Sequence, residues 1–353
     1  MKSFSNRILA WYNKNFRKLP WRIGPYEQKV GKKPNVYNVW LSEIMLQQTT
    51  IRTVKPYYHK FLELWPSISD LAEASENDVL VAWAGLGYYS RARNLNKCAK
   101  IVVNNLDGLF PKTAEELKQL PGIGDYTSAA IAAIAFNEAA PAVDGNIERV
   151  ISRVTAEKTP LPQLKNICRE FMIENICSKR PGDFIQAMMD IGSTICKPKS
   201  PVCRICPLYQ ICKARNTNTQ ELYPVKKKSK PKPTRYGAAF LAYNSKGNIW
   251  LIRRPRNGLL AGMVSIPMSD WNLIQNGKCG APPAWLDEDW KLSSTVQHPF
   301  THFHLEIEVW TAFTEIKLDD GWWSEPCKLV KEALPTLIKK IIIASQMTDD
   351  YSG

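Results

Sequence analysis

The sequence predicts two domains, an all-helical N-terminal one and a smaller α+β one, joined by a basic linker. Three observations carry this. From residue 40 to about 214, apolar residues recur at three- and four-residue spacing, as in Leu41, Ile44 and Met45 or Ile131, Ile134 and Ala135, which is the period of a helix with one buried face. Residues 224–234 read PVKKKSKPKPT, with no apolar period, and form an extended linker. Beyond Tyr236 the apolar runs shorten and alternate, as strands do. With 353 residues, each part can bury its own core. The expected division is 1–215 helical, 216–235 linker, 236–346 α+β and 347–353 a tail.

Taken in order, the helical part is broken at Pro56, Pro66, the glycines of 85–87, Pro111, Pro121 and Pro141. Residues 37–50 form one predicted helix and 147–154 another. Between them, Leu120-Pro121-Gly122-Ile123-Gly124 followed by an alanine-rich run reads as helix, tight turn, helix. In the C-terminal part, strands are expected at 237–243 and 248–253 around a turn at 244–247. Phe303, Leu305, Ile307 and Val309 alternate with His304, Glu306 and Glu308, the pattern of a half-buried strand. A helix over 335–345 closes the chain. There is no internal repeat.

The net charge of +14 directs the protein toward polyanions, and the absence of an amphipathic basic anchor favours nucleic acid over a membrane surface. No apolar run is long enough to span a bilayer, and the first ten residues lack the apolar stretch of a secretion signal, so a cytoplasmic protein is expected. Nine cysteines are present, four of them packed between 196 and 212. Such clustering fits a reducing compartment with one dedicated cysteine site better than a disulfide framework.

That cluster, Cys196, Cys203, Cys206 and Cys212, has the spacing C-x6-C-x2-C-x5-C. Four thiolates in one short loop close on a metal centre, and both zinc and iron–sulfur accept them. The hairpin glycines Gly122 and Gly124 allow the backbone close approach, so the N–H groups opening the next helix are placed to hold a DNA phosphate. Two carboxylates stand out. Glu43 shares a partly apolar helix face with Val39 and Leu46, where desolvation would keep it protonated near neutral pH. Asp144 precedes a helix and suits a cap, which would fix it rigid and ionised. An acid and an anion so paired fit glycosidic cleavage, in which one protonates the leaving base and the other faces a cationic sugar. In duplex DNA the base must first be flipped out. The run 85–89 with Arg91 and Arg93 offers apolar wedges flanked by phosphate-binding arginines.

Leu19-Pro20-Trp21, the run 40–49, 85–95, 143–146 and the cysteine loop together resemble the MutY-type adenine DNA glycosylases, and the likeness covers nearly the whole chain. The resemblance implies a mainly α helix–hairpin–helix glycosylase domain whose four cysteines hold a [4Fe–4S] cluster, plus a C-terminal α+β Nudix-like domain. It assigns Glu43 as the acid that protonates adenine and Asp144 as the stabiliser of the sugar cation, with Tyr126 and Asn146 in support. Arg17, Leu19, Trp21 and Gln186 would line the adenine pocket. Gln48, Thr49, Leu86 and Tyr88 would surround the orphaned 8-oxoguanine, and Thr301 and His302 would read it from the C-terminal domain. The implied partner is double-stranded DNA carrying A:8-oxoguanine or A:G mispairs. The implied setting is a monomer at the nucleoid of a bacterial cytoplasm.

The sequence departs from the family in four places. Thr301 stands where the family carries serine, and residues 23–35 look like an insertion. After Asn146 the chain reads Ile147-Glu148-Arg149, so a lysine that traps DNA in some relatives is missing, and hydrolysis without lyase action is expected. The glutamates of the Nudix pyrophosphatase signature are missing around 258–267, so this domain is expected to bind nucleotides without hydrolysing them. An endonuclease III-like glycosylase/lyase acting on oxidised pyrimidines needs a nucleophilic lysine two residues past the second hairpin glycine, where this chain has Tyr126. A non-catalytic lesion binder would need neither Glu43 nor Asp144.

Overall fold

The computed structural model describes residues 3–226, 231–273, 289–315 and 321–346. The chain folds as two compact units, one comprising residues 1–73 and 94–228, the other residues 74–93 and 229–353. The short stretch 74–93 thus groups with the C-terminal residues, which a division drawn by position along the chain does not reveal.

Helices α1 (Phe4–Asn15), α2 (Pro25–Lys29), α3 (Val36–Leu46), α4 (Ile51–Leu64) and α5 (Ile68–Glu73) open the first unit. After α6 (Glu76–Trp83), which belongs to the second, come α7 (Ser90–Asn105), α8 (Ala114–Leu117), α9 (Asp125–Phe136), α10 (Gly145–Thr155), α11 (Leu164–Asn175), α12 (Pro181–Asp190) and α13 (Lys213–Asn216). The helical series therefore begins well before residue 40. Side chains start several of these helices: Ser3, Asn35, Thr50 and Asp144 each accept from a backbone N–H three residues on.

Two expected features are corrected. Pro56 does not break the chain but lies inside α4. Its missing N–H deprives only the carbonyl of exposed Arg52, which water can serve, while buried Val54, Tyr58 and Phe61 hold the helix together. The helix expected over 37–50 stops at Leu46. Gln47 leaves helical geometry and Gln48 takes a positive φ of 57°, so Gln48 and Thr49 lie on the turn into α4.

Small residues let α9 sit at the centre. Ala129, Ala130, Ala132 and Ala133 are buried, and α12 starts so close that a Cβ on Gly182 would lie 2.6 Å from the Ala133 carbonyl oxygen. This packing brings α3, α9 and α12 together beneath the cavity described below.

Among the described residues, the second unit holds a six-stranded sheet of β1 (Thr234–Tyr243), β2 (Ile249–Arg253), β3 (Val264–Ser265), β4 (Lys291–Pro299), β5 (His304–Phe313) and β6 (Gly321–Ser324). Its order is β3-β2-β1-β5-β4, with β6 also paired to β2. The β1–β5 pair is parallel, running from Thr234 opposite His304 to Tyr243 opposite Phe313, and the other pairs are antiparallel. A central strand is covered on both faces, which explains the unbroken buried run from Gly237 to Ala242 in β1. In β5 the expected alternation appears, with Leu305, Ile307 and Val309 buried. Helix α14 (Thr336–Gln346) packs Leu337, Ile338 and Ile341 into this core beside β4 and β5. No helix among the described residues is long and apolar enough to cross a membrane.

Candidate active site

Helix α3 is buried almost all round, and its one acidic residue is buried with it: Glu43 is only 6% exposed. Tyr126, in the first turn of α9, donates its hydroxyl to Glu43 Oε2 at 3.1 Å. Burial pushes the Glu43 carboxyl up to about 7, and the nearby Asp144 charge adds to the rise. The Tyr126 hydrogen bond and the Arg22 charge oppose it. The same burial, reinforced by Glu43 and Asp144, holds the Tyr126 phenol well above its ordinary value, so it remains a donor.

Asp144 caps α10. Its Oδ1 accepts from the Ile147 N–H at 2.8 Å, and its Oδ2 accepts from Asn146 Nδ2, also at 2.8 Å. Asn146 is held in turn, since its Oδ1 accepts from Arg149 Nη2 at 2.8 Å. Arg149 also donates to the carbonyls of Gly192 at 2.6 Å and Cys196 at 2.7 Å, which ties α10 to the start of the cysteine loop. Glu43, Tyr126, Asp144 and Asn146 all line one open cavity of about 800 Å³, together with Arg17, Leu19, Trp21, Arg22, Gln48 and Thr49. Gln186 does not line it. That side chain is 2% exposed, its amide donates to the Gly182 carbonyl, and its Oε1 has no partner among the described residues.

At the hairpin, Gly122 takes φ +79°, and a Cβ there would meet the Asn94 Cβ at 2.9 Å. Gly124 instead keeps a negative φ and serves as the N-cap of α9, so no side chain caps that helix. Its first N–H groups are left for an outside acceptor such as phosphate.

The four cysteines Cys196, Cys203, Cys206 and Cys212 line a second cavity with Val150, Val154, Ile191 and Ile195. Among the described residues, no three His, Cys, Asp or Glu side chains are drawn together on a single metal-ion position. Burial, opposed by a backbone hydrogen bond at Leu208 and assisted by the three other cysteines, pushes the Cys206 thiol up to about 12, so that it holds its proton at neutral pH unless a bound cation displaces it. Fully buried Arg153 supplies polar support, donating to Cys196 Sγ at 3.4 Å and to the carbonyls of Lys197 at 2.7 Å and Pro198 at 2.8 Å. Lys197, Lys199 and Arg204 remain exposed on the loop.

In the second unit, Leu86, Tyr88, Thr301 and His302 line a cavity of about 480 Å³, along with Phe300. Tyr88 Oη and Thr301 Oγ1 share a hydrogen bond of 2.5 Å. The expected wedge is corrected in detail. Leu86 is buried and Tyr88 is 46% exposed, so only the tyrosine projects. Arg91 does not face outward for phosphate. Its guanidinium is buried against Trp83 and Tyr88, donating to the Leu86 and Gly87 carbonyls, which fixes the strained turn where Gly85, Gly87 and Tyr88 all have positive φ. Arg93 donates to the Ala261 carbonyl.

Residues 41–172 match the HhH-GPD superfamily of base excision DNA repair proteins, and residues 238–344 match the NUDIX domain. The chain is 35% identical to the adenine DNA glycosylase of Homo sapiens, over 96% of this chain and 73% of that protein. It is 40% identical to the adenine DNA glycosylase of Buchnera aphidicola from Acyrthosiphon pisum, over 86% of this chain and 85% of that one. The chain belongs to the adenine DNA glycosylase family. Among solved structures, a thermostable thymine-DNA glycosylase superimposes with a TM-score of 0.53 at 27% identity, covering 61% of this chain and 95% of that one.

Within an adenine DNA glycosylase framework, the helical unit is the helix–hairpin–helix fold and the sheet unit is Nudix-like, as the sequence led us to expect. Reading the sequence missed Arg22, Asp190 and Arg149. Arg22 was legible only as a neighbour of Trp21; Arg22 and Asp190 find each other across the chain, and Arg149 reaches the distant Gly192 and Cys196 carbonyls as well as nearby Asn146. Among the residues 23–35, Gln28 of α2 donates to the Ile23 carbonyl and to Asp183 Oδ1, which anchors this stretch to α12.

Proposed function

We propose that the protein excises adenine mispaired with 8-oxoguanine, or with G, by hydrolysing the N-glycosidic bond without lyase action. The observation that carries this reading is the pairing in one cavity of a buried, protonatable Glu43 with Asp144, held as the cap of α10. At neutral pH about half of Glu43 holds a proton to give to the leaving adenine, whereas an ordinary glutamate would hold almost none. Asp144, fixed by two hydrogen bonds, supplies the negative charge that a cationic sugar requires as the bond breaks. Once adenine has left, Glu43 is a carboxylate and takes the proton from the attacking water.

Arg17, Leu19 and Trp21 form the wall against which the extruded base would rest. The uncapped start of α9 beyond Gly122 and Gly124 would hold the DNA backbone. Gln48 and Thr49, on their turn in the first unit, would contact the opposing 8-oxoguanine; Leu86, Tyr88, Thr301 and His302, in the cavity of the second unit, would read its lesion. Cys196, Cys203, Cys206 and Cys212 would hold a [4Fe–4S] cluster, whose size suits thiols that share a cavity without meeting at one point. When bound, such a cluster would tie the four cysteines together and hold their loop rigid. The exposed Lys197, Lys199 and Arg204 of that loop would meet phosphate. The protein acts as a monomer on duplex DNA, at the nucleoid of a bacterial cytoplasm.

The test is product analysis after one turnover on a duplex with A opposite 8-oxoguanine. Free adenine with a strand that breaks only on alkali treatment is expected. Spontaneous strand scission, or a covalent adduct trapped by borohydride, overturns the hydrolytic reading.

A further inference from the structure

Two cations of the cavity wall share one anion. Asp190, at the end of α12, is wholly buried, and its carboxylate accepts four hydrogen bonds. Oδ1 accepts from Arg17 Nε at 2.6 Å and from Arg22 Nη1 at 2.8 Å. Oδ2 accepts from the Arg17 backbone N–H at 3.1 Å and from Arg22 Nη1 at 3.0 Å. The Asp190 backbone is pinned as well, since Thr194 Oγ1 donates to its carbonyl at 2.7 Å and Ser193 Oγ at 3.2 Å, across the π-helical turn Ile191–Ile195. The arginines come from residues about 170 positions earlier in the chain, and both line the cavity that holds Glu43.

A buried ion triad is a weak source of stability, because desolvation offsets most of its attraction. Its effect on the cavity is larger. Two guanidinium groups and one carboxylate leave a single net positive charge. Without Asp190, two cations would face the acid, and neither would be held in place. We propose that Asp190 is a positioning residue: it fixes Arg17 and Arg22 in the cavity wall and cancels one of their charges, so that the acid opposite keeps its proton. This rests on the reading of Glu43 as the acid. The groups that act on Glu43 are Tyr126 from α9, Asp144 from the start of α10 and Arg22 from the loop before α2. Around the triad itself lie Tyr12 of α1 and the Arg180–Asp183 pair at the start of α12.

The experiment is the pH dependence of single-turnover adenine release for the wild type, Asp190→Asn, Asp190→Glu and Arg22→Gln, with DNA affinity and melting temperature measured alongside. The wild type should lose rate as pH rises through neutrality. In Asp190→Asn that alkaline limb should move to lower pH by about half a unit or more, since an added unit charge acts through a poorly screened interior. Asp190→Glu should restore it, and Arg22→Gln should move it the opposite way. An Asp190→Asn limb that coincides with the wild type, with only the melting temperature lowered, shows a purely structural residue and overturns the proposal. If Asp190→Asn does not fold, Arg22→Gln decides, and an unmoved limb there has the same meaning. Wild-type protein that releases no adenine refutes the assigned activity instead, a result distinct from either.

Discussion

Replacing Glu43 by glutamine should make the protein more stable and nearly inactive at once. The carboxyl lies at about 7 in the fold against 4.5 for a free glutamate. A carboxyl raised on folding contributes its full stability below pH 4.5 and loses it as pH climbs through 7. The gap of about 2.5 pH units corresponds to about 3 kcal/mol. The substituted glutamine does not titrate, and its amide oxygen can still accept from the Tyr126 hydroxyl. The variant should therefore gain on the wild type between pH 5 and pH 8, approaching about 3 kcal/mol at the upper end. Melting curves at pH 5, 6.5 and 8 measure this, at roughly 2–4 °C per kcal/mol for a unit of this size. On A:8-oxoguanine duplex the same variant should bind as tightly as the wild type while releasing adenine roughly 10²–10⁴-fold more slowly, the scale of a positioned acid. Equal rates would refute the assignment. A stability difference that does not grow with pH would refute the buried, protonated carboxyl.

Three further outcomes follow from the geometry. Asp144→Asn keeps an oxygen to cap α10 but removes the charge, so single-turnover rates should fall at least about 100-fold with the melting temperature within a few degrees of wild type. Gly122→Ala forces a side chain into φ +79° and against Asn94, which should cost about 1 kcal/mol or more in thermal unfolding and weaken DNA binding without changing the pH profile of base release. Cys206→Ser should lose any visible absorbance of the purified protein together with iron content, and with them DNA affinity. A variant that keeps iron and affinity would show that this cysteine is not a ligand.

Much of the site was legible because its residues lie in short, chemically pointed runs: Glu43 within a helical stretch, Asp144 ahead of another, two glycines in a hairpin, four cysteines in one loop. What stayed hidden depends on partners distant in sequence. Nothing near Asp190 announces that it binds Arg17 and Arg22, and Arg149 looks like one more basic residue on α10 until its contacts with Asn146 and Cys196 are seen. Arg91 misleads for a different reason: its partners are local, but an arginine beside an apolar, glycine-rich run suggests phosphate, whereas burial turns it onto its own turn. The all-helical and α+β division was readable from apolar period. The parallel pairing of β1 with β5 was not, because pairing across some 70 residues leaves no local trace. Pro56 shows that tertiary burial can carry a helix through a residue that would break it in isolation.

The central claim is tested most directly by comparing single-turnover base release from four duplexes, carrying A opposite 8-oxoguanine, A opposite G, A opposite T, and an oxidised pyrimidine. The account predicts fast release from the first, slower release from the second and none from the others. Release of the oxidised pyrimidine with adenine left in place would contradict it.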